Sequence, residues 1–204
     1  MDINESKRVY ISADYDEENG DRDVVDELHK WAEDKRYKVN YVDTAQVVSD
    51  SVSNDQDCRP CELKNEFNKQ INISSIVIFI IGDKTRTRTA GNLCRRLNGG
   101  EHCDCTPYKQ NSQGTSKCKY DKTSEPYDDI GNINEFSYLQ HEFCQAKKRK
   151  KDIIIIYNSL NNQPSWLPAY MKEYESEAFP FWINKGESKN VGNYQRIKKA
   201  LGYD

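Results

Sequence analysis

Glu142 is the side chain in this sequence whose type and position most clearly suit chemistry. It lies inside the helical pattern "EFSYLQHEFCQAKKRKK" (135–151), which runs directly into the apolar stretch "DIIIIYN" (152–158). At about 100° per residue, Glu142 falls about a quarter-turn from the centre of the helix's apolar stripe, which predicts a boundary position between core and solvent. A carboxylate on such a flank can lean over a sheet edge into a crevice. The alternative is a solvated glutamate, because most glutamates are exposed.

Further candidates lie at or just after the ends of three of the predicted strands, where the carboxyl ends of parallel strands collect ligands. These secondary candidates are Ser12, Asp14, Asp43, Gly82, Lys84 and Thr85. A carboxylate at Asp43 could reach a ribose hydroxyl, although Asp-Thr is also an ordinary turn pair. The backbone after Gly82, together with Lys84, could approach a pyrophosphate. The structural alternative at these positions is a simple turn into the next helix.

Four cysteines lie in the stretch 84–132, which has no apolar periodicity and is predicted to be an irregular insertion. They are Cys94, Cys103, Cys105 and Cys118. A tetrahedral zinc would give such a segment order. The favoured alternative is free thiols, because this spacing matches no recognised zinc ribbon or finger. Cys58 and Cys61 form a second ligand-like pair, and Cys144 is predicted to pack in the core.

Composition limits the partners. The 204 residues fit one domain, and the formal net charge of −3 argues against a dedicated nucleic-acid-binding surface. The basic run "KKRKK" (147–151) is explained by its place at a helix end, where cations complement the macrodipole. No apolar stretch is long enough to span a membrane, so no membrane partner is expected. The polar N-terminus is no secretory signal, which predicts a cytoplasmic protein with reduced thiols.

The elements that must position these residues alternate between strands and helices. Strands are predicted at 7–14, 38–43, 75–82, 152–158 and 178–183, and helices at 21–35, 61–74, from 133, and at 193–202. The runs "SIVIFIIG" and "DIIIIYN" are apolar on both faces, as strands covered on both sides must be. The pattern predicts an α/β, flavodoxin-like open parallel sheet of about five strands in the order 2-1-3-4-5, with helices on both faces.

The order and spacing of several short motifs add a family resemblance. They are "VYIS" (9–12), "VVDELHKW" (24–31), "IVIFIIG" (76–82) and "HE" (141–142), the last followed by a basic turn and an Ile-rich strand. This arrangement resembles the TIR-like family, and within it the ThsB-type proteins of bacterial Thoeris antiphage defence. Two positions differ from that family's pattern. His141 replaces a tyrosine, and the aromatic expected soon after Ser12 is Tyr15.

The resemblance implies a function and roles for particular residues. It makes Glu142 the catalytic glutamate of an enzyme that cleaves the nicotinamide–ribose bond of NAD⁺ and releases an ADP-ribose-type signalling nucleotide, cyclic or conjugated. It also implies substrate contacts from Tyr15 and from Tyr138, the latter by stacking, and a partner effector protein that responds to the product. The alternative is a non-catalytic TIR-like module that binds other proteins through its surface loops.

Overall fold

A computed structural model describes residues 7–14, 20–33, 39–43, 59–88, 109–110, 116–117, 137–186 and 190–203. Its centre is a five-stranded, all-parallel sheet in the order β2-β1-β3-β6-β7. The five strands are β1 (Lys7–Ser12), β2 (Val39–Asp43), β3 (Ile76–Ile81), β6 (Asp152–Tyr157) and β7 (Phe179–Pro180). Counted along the sheet this is the order 2-1-3-4-5, and the predicted fold class is confirmed.

Four helices among the described residues flank this sheet, and each packs an apolar face against it. They are α1 (Arg22–Glu33), α2 (Arg59–Ile73), α3 (Tyr138–Lys148) and α4 (Tyr194–Ala200). The Ser137 hydroxyl caps α3 by accepting a hydrogen bond from the Gln140 N–H at 3.0 Å. None of the described helices combines the length and apolar character that crossing a bilayer requires.

The sheet separates two apolar cores. On one face, Val9, Ile11 and alternate residues of β3 and β6 pack against α1 and α4. On the other face, Tyr10, Phe79 and their alternates pack against α2 and α3. Because successive strand residues point to opposite faces, a strand covered on both sides must be apolar throughout. All six residues of β3 are accordingly buried.

The predicted strand at 178–183 is two strands. Only β7 joins the main sheet, and it contributes two residues before the chain turns at Phe181. Pro180 has no N–H to donate to a further ladder, which suits an edge strand. The next strand, β8 (Trp182–Asn184), forms a separate antiparallel hairpin with β9 (Asn190–Gly192). Phe181 itself is fully buried and stacks on Trp31 at 5.5 Å.

Short regular elements also occur in two further segments. Within the stretch predicted to be irregular, a 3₁₀ turn spans Thr85–Thr87, and β4 (Lys109–Gln110) pairs with β5 (Ser116–Lys117). The proline-punctuated loop after β6 contains 3₁₀ helices at Pro164–Trp166 and Ala169–Tyr174. The second of them places Met171 in the core shared with α3.

Candidate functional site

The Glu142 carboxylate points into the protein, toward the carboxyl end of β1. The Tyr10 hydroxyl donates to its Oε1 and the Ser12 hydroxyl donates to its Oε2. Tyr10 and Ser12 are two residues apart on one strand, so both face the α2/α3 side of the sheet. Glu142 is only 1% exposed, so the predicted boundary position is wrong. The reason is packing: α2 lies alongside α3 and covers the flank that a lone helix would leave open.

Contacts between α3 and α2 fix the orientation of this helix. His141 Nε2 lies 3.0 Å from Asn68 Oδ1, and both residues are buried. The Tyr138 ring packs edge-on against Phe67, with the ring centroids 5.8 Å apart. The predicted stacking of Tyr138 on a substrate stays a prediction. Glu142 consequently faces β1 while its neighbour His141 faces α2.

Tyr170, which follows α3 in the chain, lies close enough to Glu142 to be affected by its charge. Burial raises the pKa of the Tyr170 phenol, a hydrogen bond with Ser137 lowers it, and the nearby Glu142 carboxylate raises it further. The Tyr170 ring packs on Phe143, with the centroids 5.5 Å apart. The surroundings of Glu142 on this side are thus aromatic and poorly hydrated.

A second polar group lies at the same edge of the sheet, around the start of α1. Asp21 is 3% exposed, and burial raises its pKa to about 7, helped by the nearby Asp14 and Asp23 carboxylates. The Asn158 amide donates to Asp21 Oδ1 and to Asp23 Oδ1, both at 3.0 Å. Its oxygen accepts a 2.7 Å hydrogen bond from the Trp182 indole. One amide after β6 therefore holds two carboxylates and is itself fixed by the β8–β9 hairpin.

The Asp21 carboxylate occupies the space directly over Gly82. A Cβ atom at position 82 would lie 2.5 Å from Asp21 Oδ1, so this close approach requires glycine. The Gly82 N–H, predicted to approach a pyrophosphate, donates to Thr85 Oγ1 at 2.8 Å. Thr85 is buried and Lys84 is half-buried. Asp14, at the end of β1, forms an ion pair with Arg88 at 2.6 Å.

Asp43 lies on the other face of the sheet from Glu142. It is 3% exposed, and its Oδ2 lies 2.5 Å from His29 Nε2 on α1. His29 is half-buried in this contact. The structure thus brings together Ser12 and Glu142 on the α2/α3 side, and Asp14, Gly82 and Thr85 around Asp21. Asp43 belongs to neither group.

Several predicted residues are not placed. Tyr15, Cys58 and the insertion cysteines Cys94, Cys103, Cys105 and Cys118 lie outside the described residues. Within the described part of the chain, no group of three or more His, Cys, Asp or Glu side chains is arranged to hold a metal ion. Cys144, predicted to pack in the core, is exposed. It falls outside the stripe of Leu139, Phe143 and Ala146 that α3 buries.

Two participants were missed from the sequence. Tyr10 could have been found from the sequence. It precedes Ser12 by two residues, and a strand places both side chains on one face. Asp21 carries only a weak signal. It is an acidic residue directly before a helix, which is ordinarily a solvated position. Its burial depends on Gly82 and Asn158, which are distant in sequence.

The chain was compared with protein-family models and with curated proteins. No family model matches the sequence, and no curated protein does.

Proposed function

We propose that this protein is a TIR-like enzyme that cleaves the nicotinamide–ribose bond of NAD⁺, with Glu142 as its catalytic carboxylate. One observation carries the proposal: the carboxylate points inward, at the end of β1, and each of its oxygens accepts a hydrogen bond from a hydroxyl group. That point is next to the place where the strand order reverses, which is where ligands collect in open α/β sheets.

The chemistry needs little more than a positioned negative charge. Nicotinamide leaves NAD⁺ as a neutral molecule when its bond to ribose breaks, so no general acid is needed. Positive charge then develops on the ribosyl carbon, and a carboxylate in a poorly hydrated site stabilises it. The two oxygens of Glu142 now accept hydrogen bonds from the Tyr10 and Ser12 hydroxyls. In a bound substrate, two ribose hydroxyls would donate to these oxygens instead.

The proposal requires a change of conformation that gives the substrate access to Glu142. With 1% of the residue exposed, substrate reaches the carboxylate only after the site opens. Such an enzyme is expected to be silent until a trigger or assembly uncovers the glutamate. In antiphage defence, the product would be an ADP-ribose-type messenger read by a partner effector protein. The cytoplasm as its compartment and zinc at the insertion cysteines stay predictions.

The alternative is a non-catalytic interaction module on the same fold. The burial of Glu142 favours it, since a carboxylate held by two hydroxyls also works as a tether between α3 and β1. The two functions predict different effects of a conservative change at Glu142. The enzyme would lose NAD⁺ cleavage, whereas the interaction module would keep its partner binding.

The test is to incubate the full chain with NAD⁺ and to measure nicotinamide and nucleotide products by mass spectrometry. Glu142→Gln keeps the size of the side chain, so we expect a folded protein that releases at least 100-fold less nicotinamide, on the order of a lost transition-state contact. Glu66→Gln on α2 is the matched control, because that carboxylate accepts hydrogen bonds from Lys69 and Gln70 instead. Equal turnover by wild type and Glu142→Gln would remove the catalytic assignment. Partner binding that Glu142→Gln leaves unchanged, together with NAD⁺ left intact by dilute and concentrated wild-type protein, favours the interaction module.

A further inference from the structure

A surface far from Glu142 concentrates cations around one exposed apolar side chain. It lies at the amino ends of the sheet strands, where α2 and α3 end. We name it the Ile73 patch and define it by Ile73, Lys148, Arg149 and Lys150. Lys148 and Lys150 are exposed, and Arg149 is half-buried. Asp152, at the start of β6, adds one exposed negative charge beside the patch.

Direct contacts bring the basic turn to the end of α2. The Arg149 guanidinium donates to Asn72 Oδ1 at 3.4 Å. The Lys151 ammonium donates to the carbonyl oxygens of Asn72 and Ser74, at 2.8 and 2.6 Å. Burial lowers the pKa of Lys151, and the Arg149 charge lowers it further. Ile73 lies in sequence between the two residues that accept these bonds, so the end of α2 that exposes it also carries the Arg149 and Lys151 cations.

Ile73 is the more exposed of the two large apolar side chains that reach solvent in the described part of the chain. It is 57% exposed, whereas Leu160 at the opposite edge of the sheet is 41% exposed. An isolated exposed apolar residue is ordinary. What is unusual at Ile73 is the presence of several cations on the same surface.

Lys150 has a backbone conformation that is unusual for a lysine. Its φ is +53°, in the left-handed region where a glycine is usual. Lys150 N donates to Lys147 O and Lys151 N donates to Ala146 O, which is the Schellman pattern at a helix end. The same pattern ends α4, where Gly202 occupies the equivalent position with φ +76°. Capping explains Lys151, but it gives no reason for a lysine at position 150.

We propose that the Ile73 patch binds the surface of an anionic phospholipid bilayer. Lysine and arginine near such a surface are attracted to its phosphates, while an apolar side chain enters the interfacial region. A nucleic-acid backbone would satisfy the cations equally but would offer Ile73 no apolar contact, so the bilayer is the better match. The expectation of no membrane partner came from the lack of a spanning segment, which does not bear on attachment to a surface.

The test measures sedimentation of the full chain with vesicles of phosphatidylcholine alone, or of phosphatidylcholine and phosphatidylglycerol in equal parts. We expect binding to the anionic vesicles only, weakening as salt is added. Lys150→Gly removes one charge at a position that suits glycine, and it should weaken binding roughly fivefold. Ile73→Ser should weaken binding, and its matched control Leu160→Ser should not.

Three results overturn the proposal. The first is no binding of wild-type protein to the anionic vesicles. The second is equal binding by Ile73→Ser and Leu160→Ser. The third is tighter binding to a double-stranded RNA homopolymer than to the vesicles, with Lys150→Gly weakening it and Ile73→Ser without effect, which would assign the patch to nucleic acid. Circular dichroism of each variant confirms that it is folded. Because Glu142 lies at the opposite edge of the sheet, these results are independent of NAD⁺ cleavage.

Discussion

Glu142 at the residue scale is a buried carboxylate whose oxygens both receive hydroxyl hydrogen bonds. A carboxylate removed from water is strongly destabilising unless such donors replace the solvent. Tyr10 and Ser12 supply two of them from one strand. The same two contacts therefore hold α3 on the sheet and orient the proposed catalytic group.

Removing one of these donors should destabilise the protein. For Tyr10→Phe we expect the free energy of unfolding to fall by about 1.5–3 kcal/mol, the usual range for a hydrogen bond to a charged group. Urea unfolding measures it.

Tyr157→Phe is the matched control for Tyr10→Phe. Tyr157 is 1% exposed on the same face of the sheet, but its hydroxyl has no hydrogen-bond partner among the described residues. Its loss should be neutral or slightly stabilising. A Tyr10→Phe variant as stable as Tyr157→Phe would show that Glu142 does not depend on the Tyr10 hydroxyl.

At the scale of elements, helix ends decide much of the surface chemistry. Lysines at the amino edge of the sheet cap the ends of helices. Lys151 donates to carbonyls at the end of α2, and Lys7 donates to the Leu201 carbonyl at the end of α4. The prediction for the basic run concerned its own helix, α3, and Lys147 and Lys148 lie in the last turn of that helix. Lys150 is different, because its backbone conformation is unfavourable for a lysine.

Replacing Lys150 should therefore stabilise the protein. For Lys150→Gly we expect the midpoint of urea unfolding to rise, with a gain of about 1 kcal/mol from relief of the left-handed conformation. Gly202→Ala, at the equivalent position after α4, is the reciprocal change and should lower stability by a similar amount. If Lys150→Gly were instead destabilising, the lysine side chain would be making a contact worth more than the backbone strain.

The elements themselves were largely predictable, and the site only in part. Continuous apolar runs identified β3 and β6 because burial on both faces leaves no room for alternation. Periodicity located α1, α2 and α3 and most of their buried faces. Whether Glu142 was buried could not be predicted, since a quarter-turn offset on one helix does not reveal what packs beside it. The division of 178–183 into two strands depends on Phe181 packing on Trp31, a contact between distant segments.

At the scale of the whole molecule, Asp21 connects parts that are far apart in sequence. Through Asn158 it joins the start of α1 to the end of β6, and through Trp182 to the β8–β9 hairpin. Its carboxylate rests on Gly82 at the end of β3. A change in the charge of Asp21 should therefore alter global stability.

The sign of this pH dependence follows from the raised pKa. The Asp21 carboxyl has its usual pKa near 3.8 in the unfolded chain and about 7 in the folded protein. The folded state thus binds the proton more tightly, and stability falls as pH rises from about 4 to about 7. Since one pKa unit is worth about 1.4 kcal/mol, the loss of stability between these limits is about 4 kcal/mol.

Asp21→Asn isolates this contribution, because an amide oxygen can still accept from Asn158. We expect the variant to be more stable than wild type at pH 8, with an advantage that declines toward pH 4, measured by urea unfolding across that range. Asp26→Asn, at an exposed position on the same helix, is the control and should show no such trend. An Asp21→Asn advantage that is the same at every pH would contradict the raised pKa.

The two hydroxyls beneath Glu142 also bear on how the sheet assembles. If β1 paired with β3 one residue out of register, Tyr10 and Ser12 would turn toward α1 and the carboxylate would lose both donors. That misaligned pairing would leave a buried negative charge poorly compensated, a penalty beyond the loss of apolar packing. Glu142 therefore discriminates against the wrong alignment of the central strands, whether or not it ever meets a substrate.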